Sequence, residues 1–329
     1  MREHTVKTAR KMHPRRKEKV PRRPRWWSIV KTHLRRISLE IINLFVNHDW
    51  LFWIVGVINK RVGLIESVFL VYPASEKYGL AYAFPRRLRK NRWSPWPAGL
   101  LWQNGKLGVM FSISATNDHF LDPQNLDNLR RVTERMERLR VLLAAKGKTF
   151  AGILPGVLHR NRIVDSSPEA NLTAVAVCKA VELVKAKESL DPHTPVIVLG
   201  GRGFIGRRVV TLLDGSPVHS IDVADGQNRR DWPGHLSDQP AIVLNITRNH
   251  ALADYIDQMW PGTVVINEVY PEPSPEILRR LRRKGCPCYH VVGVKAFALP
   301  PFPAAYRGAI PCCAAWNAPQ MQVVVRRLN

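Results

Sequence analysis

The chain has 329 residues, 45% of them hydrophobic, and a net charge of +24. That is length enough for two cored domains and too apolar for a disordered chain. The five cysteines (Cys178, Cys286, Cys288, Cys312 and Cys313) are odd in number, which excludes a simple disulfide framework and points to a reducing, cytoplasmic setting.

The charge is unevenly spread. Residues 1–36 hold fourteen Lys/Arg against Glu3 and Glu18, a local net of +12. Residues 1–27 read as a disordered basic tail, which attracts anionic lipid, an acidic protein or nucleic acid. Its length and its prolines, Pro21 and Pro24, do not fit a secretory leader. Residues 28–60 predict one or two helices. The apolar runs 41–46 and 50–58, split by Asn47-His48-Asp49, are each shorter than a membrane span. Flanking basic residues and the aromatics Trp26, Trp27, Trp50, Phe52 and Trp53 suit a helix lying at a membrane surface, and a helix buried against the protein body suits them too.

Residues 65–84 predict a strand pair around Pro73-Ala74-Ser75, and 85–97 a loop rich in Arg, Trp and Pro. Residues 100–113 predict a hairpin turning at Asn104-Gly105. A long amphipathic helix starts at Asp122-Pro123, with Leu126, Leu129, Val132, Met136, Leu139, Leu142 and Leu143 along one side. Residues 150–156 form a glycine-bearing apolar turn or strand, and Asn171 caps a helix running to Lys187.

That helix leads into the most informative stretch. Val196-Ile197-Val198-Leu199 is a short apolar run, as in a parallel strand buried on both faces. Gly201-Arg202-Gly203-Phe204-Ile205-Gly206 follows, a G-x-G-x-x-G, then a helix over 206–213 and a second strand, 218–221, closing on Asp222. In this setting Gly201 serves the tight turn, Gly203 lets a pyrophosphate approach the backbone, and Gly206 lets the helix pack on the strand. Asp222 stands where a carboxylate meets the ribose 2′-OH, which favours NAD over NADP, although Arg229 and Arg230 lie nearby. The pattern continues with a strand over 241–247, whose Asn245 and Thr247 fall at the ligand-binding carboxyl end. A helix (251–259), a strand (263–267), the Glu268-Val269-Tyr270-Pro271 corner, a basic helix (275–284) and a strand (288–294) follow. The tail from 297 on is proline-rich, then helical or extended.

The fold class is therefore α/β. A C-terminal Rossmann-type doubly wound parallel sheet (171–300) follows an N-terminal α/β substrate domain (28–170), and residues 301–329 pack back on the cleft. Several pieces resemble the long-chain acyl-[acyl carrier protein] reductases (aldehyde-forming), relatives of glutamyl-tRNA reductase and shikimate dehydrogenase. They are Thr173-Ala174, Cys178 and Val181-Glu182 on the helix before the glycine loop, the loop itself, Gly105-Lys106, Ala151-Gly152, and the VVINEVYP segment 264–271. The resemblance spans roughly 100–315 and implies a C-terminal cysteine nucleophile, here Cys312 or Cys313. Such an enzyme takes the acyl chain from a carrier thioester and releases it as aldehyde with NADPH. A thiolate would need a cationic or helix-N-terminal setting.

Three readings stay open. One is reduction of an acyl thioester by NAD or NADP through Cys312 or Cys313, with the basic tail meeting an acidic carrier protein or an anionic membrane surface, peripherally from the cytoplasm. The second is a dehydrogenase of a small carbonyl compound without a covalent step, for which His119, His159 and Lys295 are proton-transfer candidates. The third is a non-enzymatic NAD(H)-binding protein. No zinc finger, RNA-recognition signature or helix-turn-helix spacing is present, so sequence-specific nucleic-acid binding is not expected. Cys286-Pro287-Cys288 with Cys312-Cys313 lacks zinc-site spacing, so no metal is expected.

Overall fold

The computed structural model describes residues 26–329 apart from 74, 91, 214, 222–231, 249–250 and 304–305 and the side chains of 27 and 28. The basic tail before residue 26 and the carboxylate at Asp222, with Arg229 and Arg230, lie outside the described residues.

Two helices open the chain, α1 (Trp26–Val46) and α2 (Asp49–Val62), meeting at 80°. They precede a five-stranded sheet in the order β10-β2-β3-β1-β4. Its strands are β1 (Ile65–Val71), β2 (Trp96–Gln103), β3 (Lys106–Ser112), β4 (Gly147–Phe150) and β10 (Phe297–Leu299). The hairpin of β2 and β3 turns where expected. Asn104 (φ 51°) and Gly105 (φ 74°) both take the left-handed conformation that a two-residue turn of this kind requires.

Residues 65–84 do not form a strand pair. β1 lies parallel to both β3 and β4, and after Pro73 the chain turns into a short helix, α3 (Glu76–Gly79). The expected 85–97 loop begins as helix α4 (Pro85–Lys90), and Trp96-Pro97 already belong to β2. Proline at the first position of α4 costs no backbone hydrogen bond, which composition alone obscured.

Helix α5 (Asn117–Leu121) precedes α6 (Leu126–Leu142), which buries Leu129, Val132, Met136 and Leu139 as its periodicity requires. α2 packs on α6 closely enough that a Cβ at Gly56 would stand 1.8 Å from the Leu142 carbonyl oxygen. Asn59 of α2 donates from its amide to Leu143 O (3.1 Å) and Ala144 O (2.9 Å), binding α2 into the body.

After α7 (Leu154–Arg160), helix α8 runs Pro168–Lys187, three residues earlier than its expected cap at Asn171. Pro168 at its first position marks the true start, and Asn171 instead accepts from Arg208 Nε at 2.9 Å. The second sheet has seven strands. β5 (Val196–Leu199), β6 (Val218–Ile221), β7 (Ala241–Asn245), β8 (Thr263–Asn267) and β9 (Cys288–Lys295) are all parallel, in the order β9-β8-β7-β5-β6. β11 (Ala309–Ile310) and β12 (Val323–Arg327) pair antiparallel with β9.

Helices α9 (Gly206–Leu212), α10 (Ala251–Tyr255) and α11 (Pro275–Arg283) complete the doubly wound pattern. Alternate residues of its strands serve two cores. Val196, Val198, Ile242 and Leu244 pack with α8, while Ile197, Leu199, Val243 and Val265 pack with Leu252, Tyr255 and Leu281. Through Ala174, Val177 and Val181, α8 shares one core with Phe69 and Met110 of the first sheet, so the two sheets hold a fixed cleft between them. The α/β class with a Rossmann-type parallel sheet is what the structure has. Residues 297–299, at the end of the expected nucleotide domain, pair with β2 in the first sheet instead.

Because the obstruction at Gly56 is backbone, Gly56→Ala is expected to lower stability by about 2 kcal/mol. Thermal unfolding should show the drop, while Val57→Ala, on the exposed side of α2, should move Tm by less than about 2 °C.

Candidate active site

The glycine loop sits at the carboxyl end of β5, between β6 on one side and β7 on the other. This is the switch point at which open α/β sheets bind ligands. The turn is made by Gly200 (φ 91°), one residue before the expected position, and Gly200 packs against Thr247, which a Cβ would meet at 2.7 Å. A Cβ at Gly206 would stand 2.0 Å from the Gly200 carbonyl oxygen, so only glycine lets α9 close on β5. A Cβ at Gly203 would have one atom within 4 Å, the Gly200 oxygen, which leaves this backbone open to approach. These are the features that a dinucleotide pyrophosphate requires of such a loop.

A cavity of about 840 Å³ opens beside the loop, between the two sheets. Gly203, Phe204, Ile205, Gly206 and Thr247 line it, and so do Cys312 and Cys313. The structure thus brings the C-terminal cysteines to the glycine loop. Gly201, Arg202 and Asn245 are not on its wall. Gly201 is buried, where a Cβ would meet Ser220 Oγ at 2.1 Å, and Arg202 is exposed.

Asn245 is fully buried and works on its neighbours. Its amide donates to Asn267 Oδ1 (2.8 Å), and Asn267 in turn donates to Val269 O (2.7 Å). His290 Nδ1 lies 2.9 Å from the Asn267 backbone oxygen, to which it can donate, and 3.2 Å from Asn267 Nδ2, from which it can accept, so either tautomer ties the ring to Asn267. The chain Asn245–Asn267–His290 thereby ties together the carboxyl ends of β7 and β8 and the adjoining part of β9. His119 and His159 lie elsewhere, His119 capping α5 through Thr116 and His159 packing 5.3 Å from the Phe204 ring. Lys295 is exposed.

Both thiols are protonated. Burial pushes Cys313 up to about 12 and Cys312 well above its ordinary value. The charged groups acting on them are Glu268 and, for Cys313, Glu169, both of which favour the neutral thiol.

The carboxyls themselves carry no motif in the sequence. Glu268 and Glu169 line the cavity, and burial raises each to about 7. Five tyrosines (Tyr72, Tyr78, Tyr82, Tyr270 and Tyr306) share the wall. Burial, with Tyr78 and Tyr82 close by, pushes Tyr270 up to about 12. The signal for Glu268 was its place directly after a buried strand. Glu169 sits one residue after the proline that opens α8, where it reads as an ordinary first-turn acid.

No family model matches the chain, and no curated protein matches it. Solved structures with a similar course include a shikimate dehydrogenase in complex with NADP+ (10% identity, 69% of this chain, 84% of that chain, TM-score 0.39). Shikimate 5-dehydrogenase from Listeria monocytogenes in complex with shikimate and NAD is similar too (12%, 69% and 86%, TM-score 0.35). So is the methylenetetrahydrofolate dehydrogenase-cyclohydrolase of Trypanosoma brucei with NADP (16%, 70% and 76%, TM-score 0.35). At TM-scores below 0.5 the fold class stands on the strand order itself.

Glu169 has a stability consequence. Its carboxyl ionises near 7 in the folded protein against an ordinary 4.5, so the folded state holds the extra proton between those values. Stability is highest below about pH 4.5 as far as this group is concerned, and is lost as pH rises towards 7. In Glu169→Gln the fall in Tm between pH 5 and pH 8 should be smaller than in the parent protein, measured by thermal unfolding across that range.

Proposed function

We propose that the protein is an NAD(P)-dependent oxidoreductase acting on a largely apolar carbonyl compound, with proton transfer by Glu268 and no covalent step. The observation that carries this reading is the meeting, in one cavity, of an open glycine loop at the sheet's switch point with a carboxyl poised near 7. The loop backbone at Gly203 and the turn around Gly200 would hold the dinucleotide, with Thr247 beside them. The dinucleotide supplies hydride-transfer capacity when bound. Glu268 is suited to give or take a proton at a substrate oxygen, because a pKa close to the working pH lets one group do both. The Asn245–Asn267–His290 chain fixes the strand end that carries Glu268. Leu39, Val71, Trp96, Met110, Ile113 and Phe302 give the far wall its apolar character, which selects a hydrocarbon or aromatic body over a polar acid.

A second reading, the acyl-thioester reductase, is favoured by one observation: Cys312 and Cys313 share that cavity with the glycine loop. It requires a base to take a thiol proton, since neither sulfur is a resting thiolate.

Titration with NADH and NADPH followed by nucleotide fluorescence tests the shared part; saturable binding by the parent protein and its loss in Gly203→Asp are expected. Consumption of the reduced nucleotide with a panel of straight-chain aldehydes and acyl thioesters separates the two readings. Glu268→Gln should cut turnover by about a hundredfold or more and remove a pH-dependent limb near 7, while Cys312→Ser with Cys313→Ser keeps most of it. Abolition of thioester reduction by the cysteine pair, with aldehydes untouched by any variant, would establish the covalent reading instead.

A further inference from the structure

α1 keeps three polar residues on its inner side. Arg36 Nε donates to Leu80 O (2.6 Å), Glu40 accepts from Arg87 Nε (2.9 Å), and Asn43 is buried, with Leu39 packed beside them against Ala83 and Trp96. Its apolar residues Leu34, Ile37, Ile41, Leu44 and Phe45 face outward, Phe45 at 68% exposure. A surface helix of a globular protein packs the other way round. α2 likewise exposes Trp50, Trp53, Ile54, Val57 and Ile58, Trp53 at 58% exposure. Single exposed hydrophobic residues are unremarkable, but ten of them concentrated on two successive helices mark an interaction surface.

The charges around this surface identify the occupant. Between residues 41 and 62 the sequence has one acid, Asp49. It is neutralised from behind by Arg135 and Arg138 of α6, each 2.6 Å away. The hydrogen bond from Arg135 holds its carboxyl below the usual range. The flanks are basic, with Lys31 on α1 and Lys60 and Arg61 at the end of α2, and the sequence before α1 holds eleven Lys/Arg in residues 1–25. A second copy of the chain would set these like charges against one another. An anionic bilayer would satisfy both the apolar surface and its flanks.

We propose that α1 and α2 form a membrane-docking face that seats Ile41, Leu44, Phe45, Trp50, Trp53 and Ile58 in the interface of an anionic bilayer. The protein lies on the membrane and does not cross it. Among the described residues no single helix is long and apolar enough to span; α1 and α2 reach that length and apolarity only as a pair, and the pair is bent by 80° with α2 held to α6 through Gly56 and Asn59. Leu39, on the inner side of α1, lines the large cavity, so one helix separates the docked face from it. If the cavity binds an apolar substrate, as proposed above, that substrate has its reservoir one helix away. The docking itself does not depend on that reading.

Flotation of the full chain with phosphatidylglycerol/phosphatidylcholine vesicles, at low and high salt, tests it without nucleotide or substrate. The parent protein should float with the anionic vesicles, several-fold less at high salt, and bind pure phosphatidylcholine more weakly. Phe45→Glu with Trp53→Glu should lose at least about tenfold in partitioning while keeping the parent's Tm, since both side chains are exposed. Absence of flotation, or unchanged flotation of the double variant, overturns the proposal. So does equal binding to pure phosphatidylcholine, or a dimer in sedimentation that the variant dissociates while vesicles stay unbound.

Discussion

The contact between the Gly200 carbonyl and the bare Cα of Gly206 decides where everything else in the cleft can be. With a Cβ at 206 standing 2.0 Å from that oxygen, α9 would be lifted from β5. The loop would then lose the compact turn that leaves Gly203 open. Phe204 depends on it as well. Its ring reaches across the cleft to pack 3.5 Å from where a Gly156 Cβ would be, with Arg208 stacked 4.4 Å from its centre. A loop built for close backbone approach thus also carries the side chain that touches α7 across the cleft.

Much of this was legible in the sequence because the signals were local. β5, β7 and β8 are uninterrupted apolar runs, and β5 is followed by a glycine pattern that few other structures need. The Asn104-Gly105 hairpin and the α6 stripe were equally plain. Residues 65–84 were not, because β1 finds its partners β3 and β4 across distance in the chain, and a parallel pairing leaves no mark at the turn that follows it. The segment after Pro73, expected as the second strand, forms the short helix α3 instead. β10 was hidden too: three residues directly after a strand of one sheet join the other, and nothing in Phe297-Ala298-Leu299 says which sheet will receive them.

The candidate site was legible in outline and not in chemistry. Sequence placed Cys312 and Cys313 near the cofactor loop through resemblance, and the structure puts them on the same cavity wall. What they do there depends on solvation. A thiol is a nucleophile only when something stabilises its anion; the Gly152 backbone favours the Cys313 anion, but burial and the carboxyls of Glu169 and Glu268 outweigh it. The same desolvation that keeps the sulfurs protonated raises Glu169 and Glu268 into the range where a carboxyl can exchange protons at neutral pH. One physical cause therefore takes the cysteines out of resting thiolate form and brings the glutamates into play. Asn245 makes a related point: a polar residue at a strand's carboxyl end suggests a ligand contact, but at full burial its amide is consumed by Asn267.

Helical periodicity tells which residues share a face, and it cannot tell which face the protein keeps. In α1 the spacing of Leu34, Ile37, Ile41 and Leu44 would ordinarily be read as the inward stripe, with Arg36, Glu40 and Asn43 towards water. The fold turns these polar residues inward because the surface behind α1 offers the Leu80 carbonyl and Arg87 for them, beside the apolar Ala83 and Trp96 that receive Leu39. Satisfying those groups inside the protein commits the apolar stripe to the outside. There it is stable in water only to the extent that the rest of the molecule can carry it. The buried polar contacts and the exposed apolar surface are thus two sides of one arrangement, and an apolar neighbour outside α1 is the environment in which both are satisfied at once.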